Sequence, residues 1–360
     1  VAVCAGSRGV ANIALVVKTA VDFLLARGAQ PFVVPAMGSH GNACAEGQKQ
    51  VLASYGISEE SMGVPIVAGT ETLLLGHTDQ HQVPVYTYRP AYEADLIIPV
   101  NRIKAHTDFK GPIESGLLKM LAIGLGSLAG ATALHGYGAA TSFPWLIPEV
   151  GFWLANKLPM RFGLGLIEDS YDQTAMVRAI ASADMLAEET ELLAYAKSMM
   201  PRIMVPEFDI LVVEEFGKDI SGAGMDPNIT GRPCAVGSSG FDGPSYQYCV
   251  VLDLTAASHG NATAISAADF ITKQLFDKID LPTTYQNCLA CHNPRSGMLP
   301  VIAADEQEAI RLACDICHIS AADGKPRIVR IKNTLSLAEI AISENLLEQV
   351  RGLPGVTVGE

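Results

Sequence analysis

The feature that most constrains this chain is a pairing that recurs along its whole length. A short apolar run is followed by a glycine-containing or polar loop, and then by a longer stretch whose apolar residues return at helical intervals. The runs at residues 1–6, 31–38, 94–100, 162–167, 208–213, 248–254, 298–303 and 327–332 are rich in Val, Ile and Leu, the composition of strands buried on both faces. Helices are predicted over 13–28, 45–55, 143–158, 185–199, 264–279, 306–314 and 337–350, the last after a Ser336 cap. The opening strand, helix and strand should form a right-handed parallel unit. Residues 58–88 read as a mixed, turn-rich region in which His77 and His81 lie at the surface.

Alternation of this kind through 360 residues predicts an α/β protein of two α/β domains with mostly parallel sheets and an active-site cleft between them. The first domain is predicted over 1–200 and the second, closing the cleft, over 205–360. With 49% hydrophobic and 18% charged residues, the composition argues against a disordered chain. A formal net charge of −13 argues against a nucleic-acid partner, which needs a basic face to displace phosphate counterions. No apolar run reaches a bilayer-spanning length, so the reading is a cytoplasmic protein with no membrane segment. The chain opens on Val1, already inside a strand-like run and with no initiator methionine, and reads as lacking its start.

Chemistry concentrates between Asn101 and His135. Arg102, Lys104, His106, Asp108, Lys110 and Glu114 crowd the segment beyond the strand-like run 94–100. An apolar helical run over 113–125 comes next, interrupted by Lys119, and then a Gly/Ala-rich turn delivers His135. A strand end feeding a polar loop and a helix is where open α/β sheets place ligands. Taken singly, Lys119 reads equally as a lysine whose stem covers apolar surface, and each histidine as structural or functional. Two other loops stand at strand ends. Gly6-Ser7-Arg8-Gly9 offers backbone N–H groups and a guanidinium to an anion, and Gly38-Ser39-His40-Gly41 occupies the equivalent place after the second strand. In the second half, the loop 217–232 carries Lys218, Asp226, Asn228 and Arg232 among glycines and prolines that permit close backbone approach.

His106, then Ser115-Gly116 with Lys119 three residues on, then His135 sixteen residues after the lysine, resembles the lactate racemase family that uses a nickel-pincer nucleotide. GSRGVANI, PAMGSHGNACAEGQ and GKDISGAGMDPNITGR read like a divergent branch of that family. The resemblance implies that Lys119 carries the cofactor through a thioamide, that His135 ligates nickel, and that His40 and His106 are the catalytic acid/base pair. Ser7, Arg8, Lys104, Ser115, Lys218 and Asn228 would contact the cofactor, with Arg8, Lys104 and Arg102 neutralising a phosphate or a substrate carboxylate. The implied activity is racemisation or epimerisation of a 2-hydroxy acid or related hydroxylated anion by hydride transfer, with the cofactor's biosynthetic proteins as transient partners. The family's first loop carries an Asp and two Arg where this chain has only Arg8, and no arginine follows His40, so the carboxylate clamp is not carried over.

Two CxxCH segments, Cys288 to His292 and Cys314 to His318, stand outside the resemblance. Chance placement gives on the order of 0.004 such matches per chain. Four reduced thiols, a zinc or iron–sulfur site from Cys288, Cys291, Cys314 and Cys317, and covalent haem attachment are the readings of these residues. The alternatives for function are therefore an electron-transfer or metal-binding protein using these cysteines, or a non-catalytic organic-anion or nucleotide-binding protein of the same fold.

Overall fold

The computed structural model describes residues 1–6, 9–38, 40–137, 142–234, 237–318 and 324–359, without the side chain of Asn42. The chain divides into two units, Val1–Met200 and Pro201–Glu360.

In the first unit, β1 (Ala2–Ala5) leads to α1 (Ile13–Leu25) and β2 (Phe32–Pro35). Then come α2 (Ala45–Ser54), the single turn α3 (Glu59–Met62), the hairpin of β3 (Thr72–His77) and β4 (Pro84–Tyr88), the single turn α4 (Arg89–Tyr92) and β5 (Ile97–Arg102). A loop over 103–116 leads on to α5 (Leu117–Lys119), a π turn (Met120–Gly124), α6 (Ser127–Tyr137), α7 (Phe143–Lys157), β6 (Phe162–Glu168), β7 (Thr174–Ala181) and α8 (Met185–Ser198). The sheet order is β2-β1-β5-β6-β7, parallel except for the last pair. The chain leaves β1 toward β2 on one side, while β5 lies on the other. Such a reversal opens a crevice at the carboxyl ends of the strands.

Side-chain alternation explains why these strands read as unbroken apolar runs. Val3 and Ala5 pack with Val33 and Val100 against Ile13, Val17, Val21 and Leu24 of α1. Ala2, Cys4, Val34 and Ile97 point the other way, into a core with Leu117, Leu118, Leu121, Leu146, Val150 and Leu154. Each fully buried leucine contributes about 1.5–3 kcal/mol, so the two layers together hold the sheet from both faces.

The second unit contains β8 (Ile210–Phe216), the single turn α9 (Pro227–Thr230), β9 (Tyr248–Leu254), β10 (Phe270–Thr272), α10 (Lys273–Asp277), α11 (Leu281–Ala290), β11 (Val301–Ala303), α12 (Glu306–Ile316), β12 (Ile328–Ile331), β13 (Ala341–Ile342) and α13 (Leu347–Val350). Its order is β11-β10-β9-β8-β12-β13, parallel except for the β12–β13 pair.

Several expectations are corrected. The helix predicted over 264–279 is a 3-10 turn, the strand β10 and the short helix α10, because Phe270 and Ile271 are buried as sheet residues and Thr272 caps α10. The helix predicted over 337–350 is instead β13 with two short helical turns. The β3–β4 hairpin and β7 have no counterpart among the predicted elements, and the segment delivering His135 is a helix rather than a turn. Among the described residues, no single helix is long and apolar enough to cross a membrane.

Candidate functional site

The loop after β5 is closed at its neck, where the Lys104 N–H donates to the Ser115 carbonyl (2.9 Å) in an isolated antiparallel bridge. Glu114 is completely buried inside it. Its carboxylate accepts from the backbone N–H groups of His106 (2.7 Å) and Gly111 (3.2 Å) and from the Lys197 ammonium on α8 (2.6 Å), with Lys110 Nζ at 3.7 Å. A carboxylate shut away from water persists only when satisfied in this way. Because two of the donors belong to the loop, one buried acid fixes the loop's shape and hence the place of His106.

His106 Nδ1 accepts from the Asp108 N–H (3.1 Å), and its ring stacks on buried Phe109, with centroids 4.4 Å apart and planes at 28°. Phe109 meets the edge of Phe143, the first residue of α7, at 5.4 Å. Phe143 in turn meets the ring of His135 edge-on at 5.1 Å. Lys119 Nζ stands 5.9 Å from the Phe109 centroid, within reach of a cation–π attraction. Two neighbouring phenylalanines therefore carry three of the candidate side chains, His106 and Lys119 on Phe109 and His135 on Phe143.

The sixteen-residue interval between Lys119 and His135 does this through two irregularities. Lys119 ends α5 and is succeeded at once by the π turn, a wide turn frequent at functional sites. The segments Leu117–Gly124 and Ser127–Tyr137 then meet at a bend of 101°. Glycine lets α7 press on the helix that bears the lysine, since a Cβ at Gly151 would lie 2.5 Å from the Leu118 carbonyl oxygen.

The loop bearing His40 lies against this same segment, with the Gly38 N–H donating to the Gly124 carbonyl (3.0 Å). His40 itself is exposed. Ser7 and Arg8 lie outside the described residues. Arg102 is ion-paired to Glu168, whose other oxygen accepts from the Ala11 N–H (2.6 Å), so its guanidinium is engaged at the base of the first loop. Asn101, for which the sequence offered no role, donates to the Gly116 carbonyl (2.9 Å). A Cβ on Gly6 would lie 2.8 Å from its side-chain oxygen, so Asn101 joins the loop after β1 to the start of α5.

A further residue escaped sequence reasoning. Glu189 of α8 is 1% exposed and sits behind α5, where its Oε2 accepts from the Leu118 N–H (3.1 Å). Burial pushes its carboxyl up to about 8, against the opposing pull of the Leu118 and Leu117 N–H groups. In the sequence it is one of three glutamates in an ordinary amphipathic stretch, and nothing there singles it out.

The remaining candidates belong to the second unit. Lys218 Nζ donates to the Gly222 carbonyl (2.6 Å) within its own loop, and Asn228 donates through its backbone and side chain to the Asp226 cap of α9 (2.9 and 2.7 Å). Cys288 is buried on α11, its Sγ accepting from the Ser296 hydroxyl (3.2 Å), while Cys291 at the end of that helix is exposed. Cys314 and Cys317 pack beside the β8–β10 core, where burial first raises both thiols, with Asp315 acting on Cys314 and Asp209 on Cys317. Among the described residues, no group of three or more His, Cys, Asp or Glu is arranged to hold a metal ion. Helix packing turns Cys288 inward against Ser296.

No protein-family model and no curated protein matches the sequence. Among solved structures, the lactate racemase apoprotein from Thermoanaerobacterium thermosaccharolyticum matches with a TM-score of 0.55 at 14% identity, over 93% of this chain and 85% of that one. A structural-genomics crystal structure of a Thermotoga maritima protein matches with a TM-score of 0.51 at 15% identity, over 82% of this chain and 77% of that one. The fold is lactate racemase-like. Identities this low establish the lactate racemase-like fold alone, and the chemistry is argued from the side chains above.

Proposed function

We propose that this protein is a racemase or epimerase of a 2-hydroxy acid or related hydroxylated anion, with Lys119 as the tether for a nickel-pincer nucleotide and His135 as the protein ligand to its metal. The observation that carries the reading is the assembly of His106, Lys119 and His135 on the Phe109–Phe143 pair. The donor set fits such a group. The described residues build no metal cage of their own, so a metal held here by a single imidazole needs the rest of its donors from an organic chelator. The Phe109 and Phe143 rings, meeting edge to face, also give an apolar surface beside the amine.

When bound, the nucleotide would supply hydride-accepting chemistry for the substrate's C2. The residues of this chain handle the proton. To accept the substrate's hydroxyl proton at Nε2, His106 must carry its other proton on Nδ1, and the Asp108 carboxylate is the acceptor at hand, with Oδ2 at 3.9 Å. In the resting geometry the Asp108 N–H donates to that nitrogen instead, which leaves the proton of a neutral ring on Nε2. His40 serves the opposite enantiomer from the loop braced on Gly124. Lys104, at the neck of the loop, offers positive charge to the substrate carboxylate or the cofactor phosphate.

Produced together with the cofactor-making enzymes, the chain should gain mass on the Lys119 peptide, bind about one nickel and racemise a 2-hydroxy acid. Lys119→Ala should lose the added mass and the activity together. Native protein carrying neither added mass nor nickel would reject the reading, whereas nucleotide retained by Lys119→Ala would favour a binding protein of the same fold.

A further inference from the structure

Helix α8 holds both halves of the candidate site from behind. Near its end, Lys197 grips Glu114 and with it the His106 loop; near its start, Glu189 grips the first turn of α5. The second contact is the less expected. Glu189 is almost wholly buried, its Oε1 has no hydrogen-bond partner among the described residues, and a Cβ on Gly116 would collide with that oxygen. A leucine or methionine would fill the volume without the penalty of burying a carboxyl. Only an acceptor can satisfy backbone N–H groups at the start of a helix, which have no partner within the helix itself. Lys119 is the residue after Leu118, so the bond that holds the Leu118 N–H also fixes the direction from which the lysine leaves the backbone.

We propose that Glu189 is a positioning residue that aims the Lys119 amine at the Phe109 ring. The proposal rests on Lys119 being the functional amine of this site, and it assigns Glu189 no contact with substrate or cofactor. The Glu189 carboxyl titrates where a change of its charge would be felt at α5 within the working pH range.

The test uses the full chain without any cofactor. It is labelled with a limiting amount of acetic anhydride, and acetylation of Lys119 is read by peptide mass spectrometry against the solvent-accessible Lys49 and Lys157 as internal references. Glu189→Gln keeps an oxygen for the Leu118 N–H and should label Lys119 within about twofold of the parent. Glu189→Ala should change Lys119 labelling by about fivefold or more with the references unmoved, and Glu189→Met, which fills the space without an acceptor, should do the same if the alanine variant does not fold. Across pH of about 6 to 9.5, the parent profile should carry a step from the Glu189 carboxyl that Glu189→Gln removes, a signature that a mere space-filler would not give. Parental labelling in the alanine or methionine variant overturns the proposal, as does an equal change in the glutamine variant or a parent profile without the step. An absence of nucleotide on co-expressed protein would reject the proposed function and leave this result standing.

Discussion

His106, Lys119 and His135 stood out in the sequence through their order and spacing, which resemble those of the lactate racemase family, whereas each taken singly read as well as a structural residue. The burial of Glu114 and Glu189 was not legible there, because acids in helices and loops are usually solvated and only geometry shows which of them is shut away; half-exposed Asp108 is marked out only by its distance from His106. Asp108→Ala removes the acceptor for Nδ1–H while sparing the backbone N–H, so it should lower kcat of the loaded protein about 10- to 100-fold with little change in KM. An unchanged kcat would take Asp108 out of the mechanism. Glu189 makes stability depend on pH, because burial raises its folded carboxyl from an ordinary 4.5 to about 8. Between those values the folded state keeps a proton that the unfolded state has lost, so stability falls as pH rises, by about 1.4 kcal/mol per unit and roughly 5 kcal/mol at most. Glu189→Gln has no such loss. Its urea midpoint should match that of the parent near pH 4 and exceed it increasingly toward pH 8; a gap that stays constant with pH would show that the acid is ionised throughout.

The parallel strands of both units were readable because burial on two faces writes an uninterrupted apolar run, as in β1, β5, β8 and β9. Elements exposed on one face were harder: β7 has five exposed residues of eight, and β3 none buried, so neither leaves that mark. The run over 264–279 failed for the opposite reason, since a short apolar run fits a buried strand as well as a helix. Packing between elements gives the next prediction. α7 approaches α5 across Gly151, and Gly151→Ala places a methyl group against the Leu118 carbonyl. Overpacking of this kind costs about 1–3 kcal/mol, so the thermal midpoint should drop by several degrees, with Lys119 labelling altered as well. A variant as stable as the parent would mean that the two helices separate freely.

At the scale of the whole chain, the alternation of strand-like runs with helical stretches indicated an α/β protein, and the lactate racemase-like fold agrees with that class. The first unit contains its own five-stranded sheet with packed layers on both faces. Residues 1–200 produced alone should therefore unfold cooperatively in urea and label Lys119 as the full chain does; a molten product would show that the second unit is needed for folding. The wide turn at 120–124 also bears on where this chain tolerates changes in length. Surface loops absorb an inserted or deleted residue at small cost. Deleting one residue inside 120–124 would let the wide turn relax to an ordinary 3.6-residue turn, in which four residues cover about the rotation that five cover in the wide one. The imidazole at 135 would then keep its place near the aromatic pair, whereas a residue removed from the ordinary turns of α6 would swing it away by about 100°, so the wide turn is where this interval can change by one residue.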